Sequence, residues 1–103
     1  MEKKKVITLD LTDCKYLGEL HERIRVAFDF PQWYGANWDA FWDLLHMDCD
    51  VDEVVVIGEK TMSSEFDSEL LKMHKALSDL AQQSFADSKI YDHIQPFTYR
   101  IVD

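Results

Sequence analysis

Apolar and polar positions alternate from Val6 to Leu11, which predicts a first strand, and Thr12-Asp13 supplies a turn after it. The period then changes. Leu17, Leu20, Ile24 and Phe28 recur at helical spacing with Glu22, Arg23 and Arg25 on other faces, predicting an amphipathic helix whose N-cap is either Asp13 or Gly18. Pro31 disfavours a helical Phe30 and closes that element. Gln32 to Ala36 reads as a loop in which Gly35 supplies a backbone conformation barred to most residues. Asn37 is placed to cap a second helix running to about His46; Trp38, Phe41, Trp42 and Leu45 share one stripe of it, and Asp39, Asp43 and His46 another.

Val54-Val55-Val56-Ile57 is an unbroken apolar run, the pattern of a strand covered on both sides, and Gly58 stops it. Phe66, Leu70, Met73, Leu77 and Leu80 then step by four and three, predicting a long helix capped by Ser63 or Ser64. Phe85 to Gln95 has no clean period and reads as a loop or a short helical turn; Phe97 to Val102 reads as a final strand. Strands separated by helices require crossovers, so the expected fold is α/β with a parallel three-stranded sheet. At 103 residues the chain is expected to form a single domain over residues 1–103.

Charge narrows the function classes. The formal net charge of −9 disfavours a direct nucleic-acid partner, because phosphate binding needs clustered Lys and Arg. Its distribution is uneven: no Lys or Arg lies between Arg25 and Lys60, where Asp29, Asp39, Asp43, Asp48, Asp50, Asp52, Glu53 and Glu59 contribute eight negative charges. Such a field attracts a basic partner, although a merely solvated acidic surface has the same composition. No stretch has the length of a membrane span, and the apolar run after Lys3-Lys4-Lys5 is broken by Asp10 too early for a signal peptide, so a cytoplasmic protein is expected. Cys14 and Cys49 form neither a disulfide framework nor a metal spacing and are expected to be reduced.

All three tryptophans and the only asparagine fall between Phe30 and Leu45. Within that segment Asp39 and Asp43 stand at i and i+4, where like charges reduce helix stability by a few tenths of a kcal/mol. Either an outside partner favours them, or Asp39 serves the helix dipole and Asp43 is an ordinary surface residue. Trp and Tyr are enriched at interface hot spots, yet Trp38 or Trp42 can equally be core; Trp33, beside Gly35 in a loop, is expected to be exposed. A carboxylate-dependent hydrolase is weighed and set behind, since two side chains on one helical face do not flank a cleft. His46-Met47-Asp48-Cys49 matches no metal pattern, His21, His74 and His93 are scattered, and there is neither a phosphate loop nor a serine elbow. No cofactor and no metal are expected.

The segment Phe30-Pro31-Gln32-Trp33-Tyr34-Gly35-Ala36-Asn37-Trp38-Asp39-Ala40-Phe41-Trp42-Asp43-Leu44-Leu45 resembles the signature of the barstar family of intracellular ribonuclease inhibitors. Its pattern is a proline, an aromatic pair, Gly, one variable residue, Asn, then a helix with Asp, Trp and Asp in register; Leu20-His21-Glu22 fits upstream without a gap. The resemblance covers the stretch from about Leu17 to Leu45. It implies a parallel sheet of order 1-2-3 packed with helices, no enzymatic activity, and binding to a basic ribonuclease of the barnase type by covering its active site. By motif position it implies that Asp43 occupies a phosphate site of the nuclease and that Asp39 faces its basic residues. Trp33 stands where the family usually has a tyrosine. Gly35, Asn37, Trp38 and Trp42 correspond to contact positions, with His46 one turn further on the exposed side. Asp79 is the nearest candidate for a glutamate that the family uses late in its last helix, and Phe85 to Gln95 looks like an insertion. The rival expectation is an acidic regulatory domain that keeps the fold and binds a basic protein other than a nuclease.

Overall fold

The computed structural model describes residues 5–47, 51–90 and 96–102. Its elements follow in the order β1 (Val6–Asp10), α1 (Leu17–Phe28), α2 (Trp38–Met47), β2 (Glu53–Ile57), α3 (Asp67–Ile90) and β3 (Thr98–Val102), with short 3-10 turns at Glu59–Thr61 and Ser64–Phe66 before α3. The strands form one parallel sheet of order β1-β2-β3, in register Ile7↔Val54↔Tyr99 and Leu9↔Val56↔Ile101. The expected α/β fold with its 1-2-3 order is therefore present.

That order decides where the helices go. Two right-handed crossovers stepping the same way across a sheet must lie on one of its faces. Burial agrees, because Ile7, Leu9, Val54 and Val56 are buried while Val6, Thr8, Asp10, Thr98, Arg100 and Val102 on the opposite face are exposed. The valine run of β2 is thus not covered on both sides as its composition suggests. Only Val54 and Val56 are fully enclosed, and Val55 and Ile57 are half-buried. A central strand is shielded laterally by its two neighbours, so β-branched side chains fit there without a second layer of helices.

α1 departs from the expected pattern at its first turn. Neither Asp13 nor Gly18 caps it: Tyr16 is the capping position and offers no side-chain bond, while the Glu19 carboxylate accepts from the Lys15 N–H at 3.0 Å. Asp13 instead takes a left-handed conformation, φ 58°, in the turn after β1. The buried stripe is Leu20, His21, Ile24 and Phe28, and Leu17 is exposed. At its far end α1 closes on left-handed Asp29, with the Phe30 N–H donating to the Arg25 carbonyl.

Phe66 of the preceding 3-10 turn and Leu70, Met73 and Leu77 of α3 are buried in the core as predicted, Leu80 is half-buried against it, and Ser63 caps the 3-10 turn. α3 continues to Ile90, so of the two alternatives for Phe85 to Gln95 the helical one holds over Phe85 to Ile90, as an extension of α3, and residues 91–95 lie outside the described set. Phe85 and Ile90 are exposed, so the extension's large apolar residues mark no buried stripe that a helical period would reveal. Cys14 is buried, and burial pushes its thiol above the ordinary range; Cys49 lies outside the described residues.

The ends of β1 and β2 are joined closely. Gly58 takes φ 86°, and a Cβ there would stand 2.4 Å from the Thr12 backbone nitrogen. We expect Gly58→Ala to destabilise the fold by about 2 kcal/mol or more, since both backbone strain and a backbone clash oppose it. A lowered urea midpoint at unchanged slope would show this.

Candidate protein-binding face

The loop between α1 and α2 is shaped by its aromatic residues. Phe30 and Tyr34 are buried, and the Tyr34 N–H donates to the Pro31 carbonyl at 3.0 Å, a turn that throws the intervening Trp33 outward. Trp33 is 73% exposed, as expected of it. Gly35 does not carry the strained conformation assigned to it: the left-handed residue is Ala36, φ 53°. What Gly35 provides is proximity, because a Cβ there would stand 3.0 Å from Asn37 Nδ2, which donates to the Gly35 carbonyl. Asn37 caps α2 as predicted, its Oδ1 accepting from the Ala40 N–H at 2.8 Å.

Beneath the loop lies a set of contacts that the motif did not reveal. His21, 3% exposed, meets the Tyr34 hydroxyl at 2.7 Å through Nδ1, and its ring lies 4.6 Å from that of Trp38. The Trp38 indole N–H in turn donates to Glu69 of α3. One chain of contacts therefore links α1, the loop, the first turn of α2 and α3. Phe41, fully buried, packs edge-on against Phe28 and Trp38 and completes the layer. Burial holds His21 below its ordinary pKa, partly opposed by the Glu69 carboxylate, and burial also pushes the Tyr34 phenol well up. A signal for His21 existed: it stands at i−3 and i−7 from Ile24 and Phe28, on the buried stripe.

The outer side of α2 carries the rest. Asp39, Asp43 and His46 are exposed, and among the described residues neither carboxylate has a hydrogen bond or an ion pair. His46 lies flat on Trp42, centroids 4.6 Å apart at 17°, and donates from Nδ1 to the Trp42 carbonyl at 2.6 Å. Trp38 and Trp42 are half-buried: each packs on the core and is still partly accessible at the surface. Together with Asp39 they form one wall of an open groove of about 360 Å³, whose other wall is Lys72, Lys75 and Asp79 of α3. Asp43 does not line that groove, so the groove does not bring the two aspartates together as a hydrolase pair would be. Asp79 does reach the face, although Lys75 already holds its carboxylate at 2.9 Å. Among the described residues no cluster of three or more His, Cys, Asp or Glu side chains is arranged to hold a metal, and no helix is long and apolar enough to cross a membrane.

A sheet covered on one face, with an acidic and aromatic helix clamped by its inner side, defines a small α/β protein with a pre-shaped surface. Sequence comparison then gives the family: the profile described as Barstar (barnase inhibitor) matches residues 4–94, and the chain belongs to that family. A curated protein of Bacillus subtilis (strain 168), "Putative ribonuclease inhibitor YrdF", is 33% identical over 60 residues, 58% of this chain and 66% of that protein. The chain thus spans just under two thirds of that relative's length.

The buried histidine sets a pH dependence. Its folded pKa is depressed, so the stability it contributes is complete above the unfolded value of about 6.5 and is lost as pH falls through the folded value. We expect the urea midpoint of the parent to fall as pH drops below about 6.5, and His21→Leu to flatten that part of the profile. A parent and variant with parallel profiles would contradict the assignment. Asn37→Ala is expected to cost about 1 kcal/mol by removing the cap of α2, read from the same denaturation curves.

Proposed function

We propose that this chain inhibits a basic ribonuclease of the barnase type, inserting α2 and the preceding loop into the nuclease's RNA-binding cleft. The observation that carries this reading is the state of Asp39 and Asp43, two exposed carboxylates without a partner among the described residues, on a helix whose other side is fixed by packing. A carboxylate offers planar acceptors to an arginine much as an RNA phosphate does, so Asp43 fills a phosphate site and Asp39 meets a second basic group. Trp33, Trp38 and Trp42 supply apolar contact around the charges, with His46 stacked on Trp42 at the rim. Gly35 and Asn37 hold the loop in the shape that presents them. The mode of action is occlusion, with no turnover of substrate. The family to which the chain belongs and the name of its Bacillus subtilis relative both support a ribonuclease as partner.

Rigidity matters as much as charge. The loop is already ordered by Tyr34 and Asn37, so little conformational entropy is lost on association. The acid-rich stretch without cations from Val26 to Glu59 adds a field that draws a basic partner in from solution.

Asp43→Ala is expected to weaken the complex by about 2 kcal/mol or more, roughly thirtyfold, in line with a central charged hot spot; the top of that hot-spot range is set by the barnase–barstar pair itself. Stability should hold or rise by a few tenths of a kcal/mol, because the variant relieves the i, i+4 repulsion with Asp39. The check is ribonuclease activity retained from an extract of the native cell on immobilised parent and variant. Activity that passes through the parent, or binds both equally, sinks the proposal.

A further inference from the structure

The recognition face carries two signs, and only one belongs to α2. On α3, Lys72 and Lys75 line the groove opposite Trp38, Asp39 and Trp42. The carboxylates that reach the same region from α3 are already engaged. Asp79 is held by Lys75 at 2.9 Å, and Glu69 accepts from the Trp38 indole and lies 3.7 Å from the Lys72 ammonium. Both lysine side chains remain largely in solvent, at 57% and 76% exposure.

We infer that Lys72 and Lys75 are specificity-determining residues: they take a carboxylate of the partner nuclease and turn away nucleases that present a cation at that place. This rests on the functional reading above. An arginine approaching the α3 wall would meet two ammonium groups and would have to displace Lys75 from Asp79, and like charges brought together across an interface are strongly unfavourable. An approaching carboxylate meets donors instead. Exposed lysine pairs contribute little to folding, so Lys75 can turn from Asp79 to a partner's carboxylate at small loss. The lysine stems are flexible, which lets the two ammonium groups converge on one acceptor.

The probe is barnase, a basic nuclease, titrated with the parent, with Lys72→Glu/Lys75→Glu, and with Lys5→Glu/Lys89→Glu, whose exposed lysines lie outside the groove. The two double variants have the same net charge, so long-range attraction rises equally in both. The inference expects the groove variant to bind barnase at least about tenfold more tightly than the control variant, and adding Asp43→Ala to abolish the gain. Equal affinities of the two double variants overturn the role of the lysines and leave the α2 reading to its own test. A gain that survives Asp43→Ala overturns the α2 reading instead. Replacing each arginine and lysine of barnase in turn by glutamate should give a form that binds the parent more tightly than Lys72→Glu/Lys75→Glu. Finding none, or finding that the parent binds a short RNA and the groove variant does not, overturns the inference.

Discussion

The face depends on a polar contact placed inside an aromatic layer. His21 lies on the buried stripe of α1, where an apolar residue would ordinarily stand, and meets the Tyr34 hydroxyl at 2.7 Å. Two buried polar groups satisfy one another there, so neither leaves an unpaired atom in the core. The direction of the bond also matters, because a hydrogen bond has a preferred geometry that aliphatic packing lacks. Tyr34 is thereby fixed against α1, Trp33 is turned outward beside it, and the chain reaches Asn37 in position to begin α2. The Trp38–Glu69 bond anchors the next turn to α3. Without these contacts the segment would be an ordinary loop whose ordering would be charged to every binding event.

Topology explains why α2, of the three helices, is available for the role proposed above. With every helix on one side of the sheet, α1 packs on β1 and α3 on β3. α2 packs against α3 and has no comparable contact with any strand. It therefore buries Phe41, Leu44 and Leu45, half-buries Trp38, Ala40 and Trp42, and keeps Asp39, Asp43 and His46 at the surface. A helix in that position can change its outer residues without disturbing the sheet, which is where recognition residues are best placed.

The parts of the fold legible in the sequence were those governed by period. The strands, the core stripe of α3 and the cap at Asn37 follow from local rules, and each agrees with the structure to within a residue or two. The differences share one cause, which is that neighbours distant in sequence decide them. Leu17 and His21 both fit a helical stripe, and contact with Tyr34 and Trp38 selects the histidine. Val55 and Ile57 are apolar because adjacent strands flank them, with no helix above. Gly35 is small because of the Asn37 side chain, while Ala36 takes the left-handed turn. At the site, Asp39, Asp43 and Trp33 could be read as exposed, but the approach of Lys72 and Lys75 from α3 could not, since it depends on how two helices cross.

Ion pairs hold most of the charges of α1 and several of α3, whereas the outer carboxylates of α2 have none; exposed Asp29, Glu65 and Asp67 are likewise without an ion pair among the described residues. On α1, Glu19 is paired with Arg23 and Glu22 with Arg25; on α3, Asp79 is paired with Lys75 and Glu69 lies beside Lys72. Glu53 bonds Arg100, and Glu59 bonds His74. Asp39 and Asp43 have no such neighbour among the described residues, and the cause is visible in the primary structure as the absence of Lys and Arg from Val26 to Glu59. Exposed ion pairs contribute little to folding, so stability does not explain this segregation. An unpaired carboxylate differs from a paired one chiefly in what it offers to another molecule, because its acceptors are unoccupied and its field is uncancelled. Placing two of them one turn apart costs the helix a few tenths of a kcal/mol. On the function proposed above, that small local loss, together with exposed Trp33 and the half-buried Trp42, is recovered when a partner covers the surface.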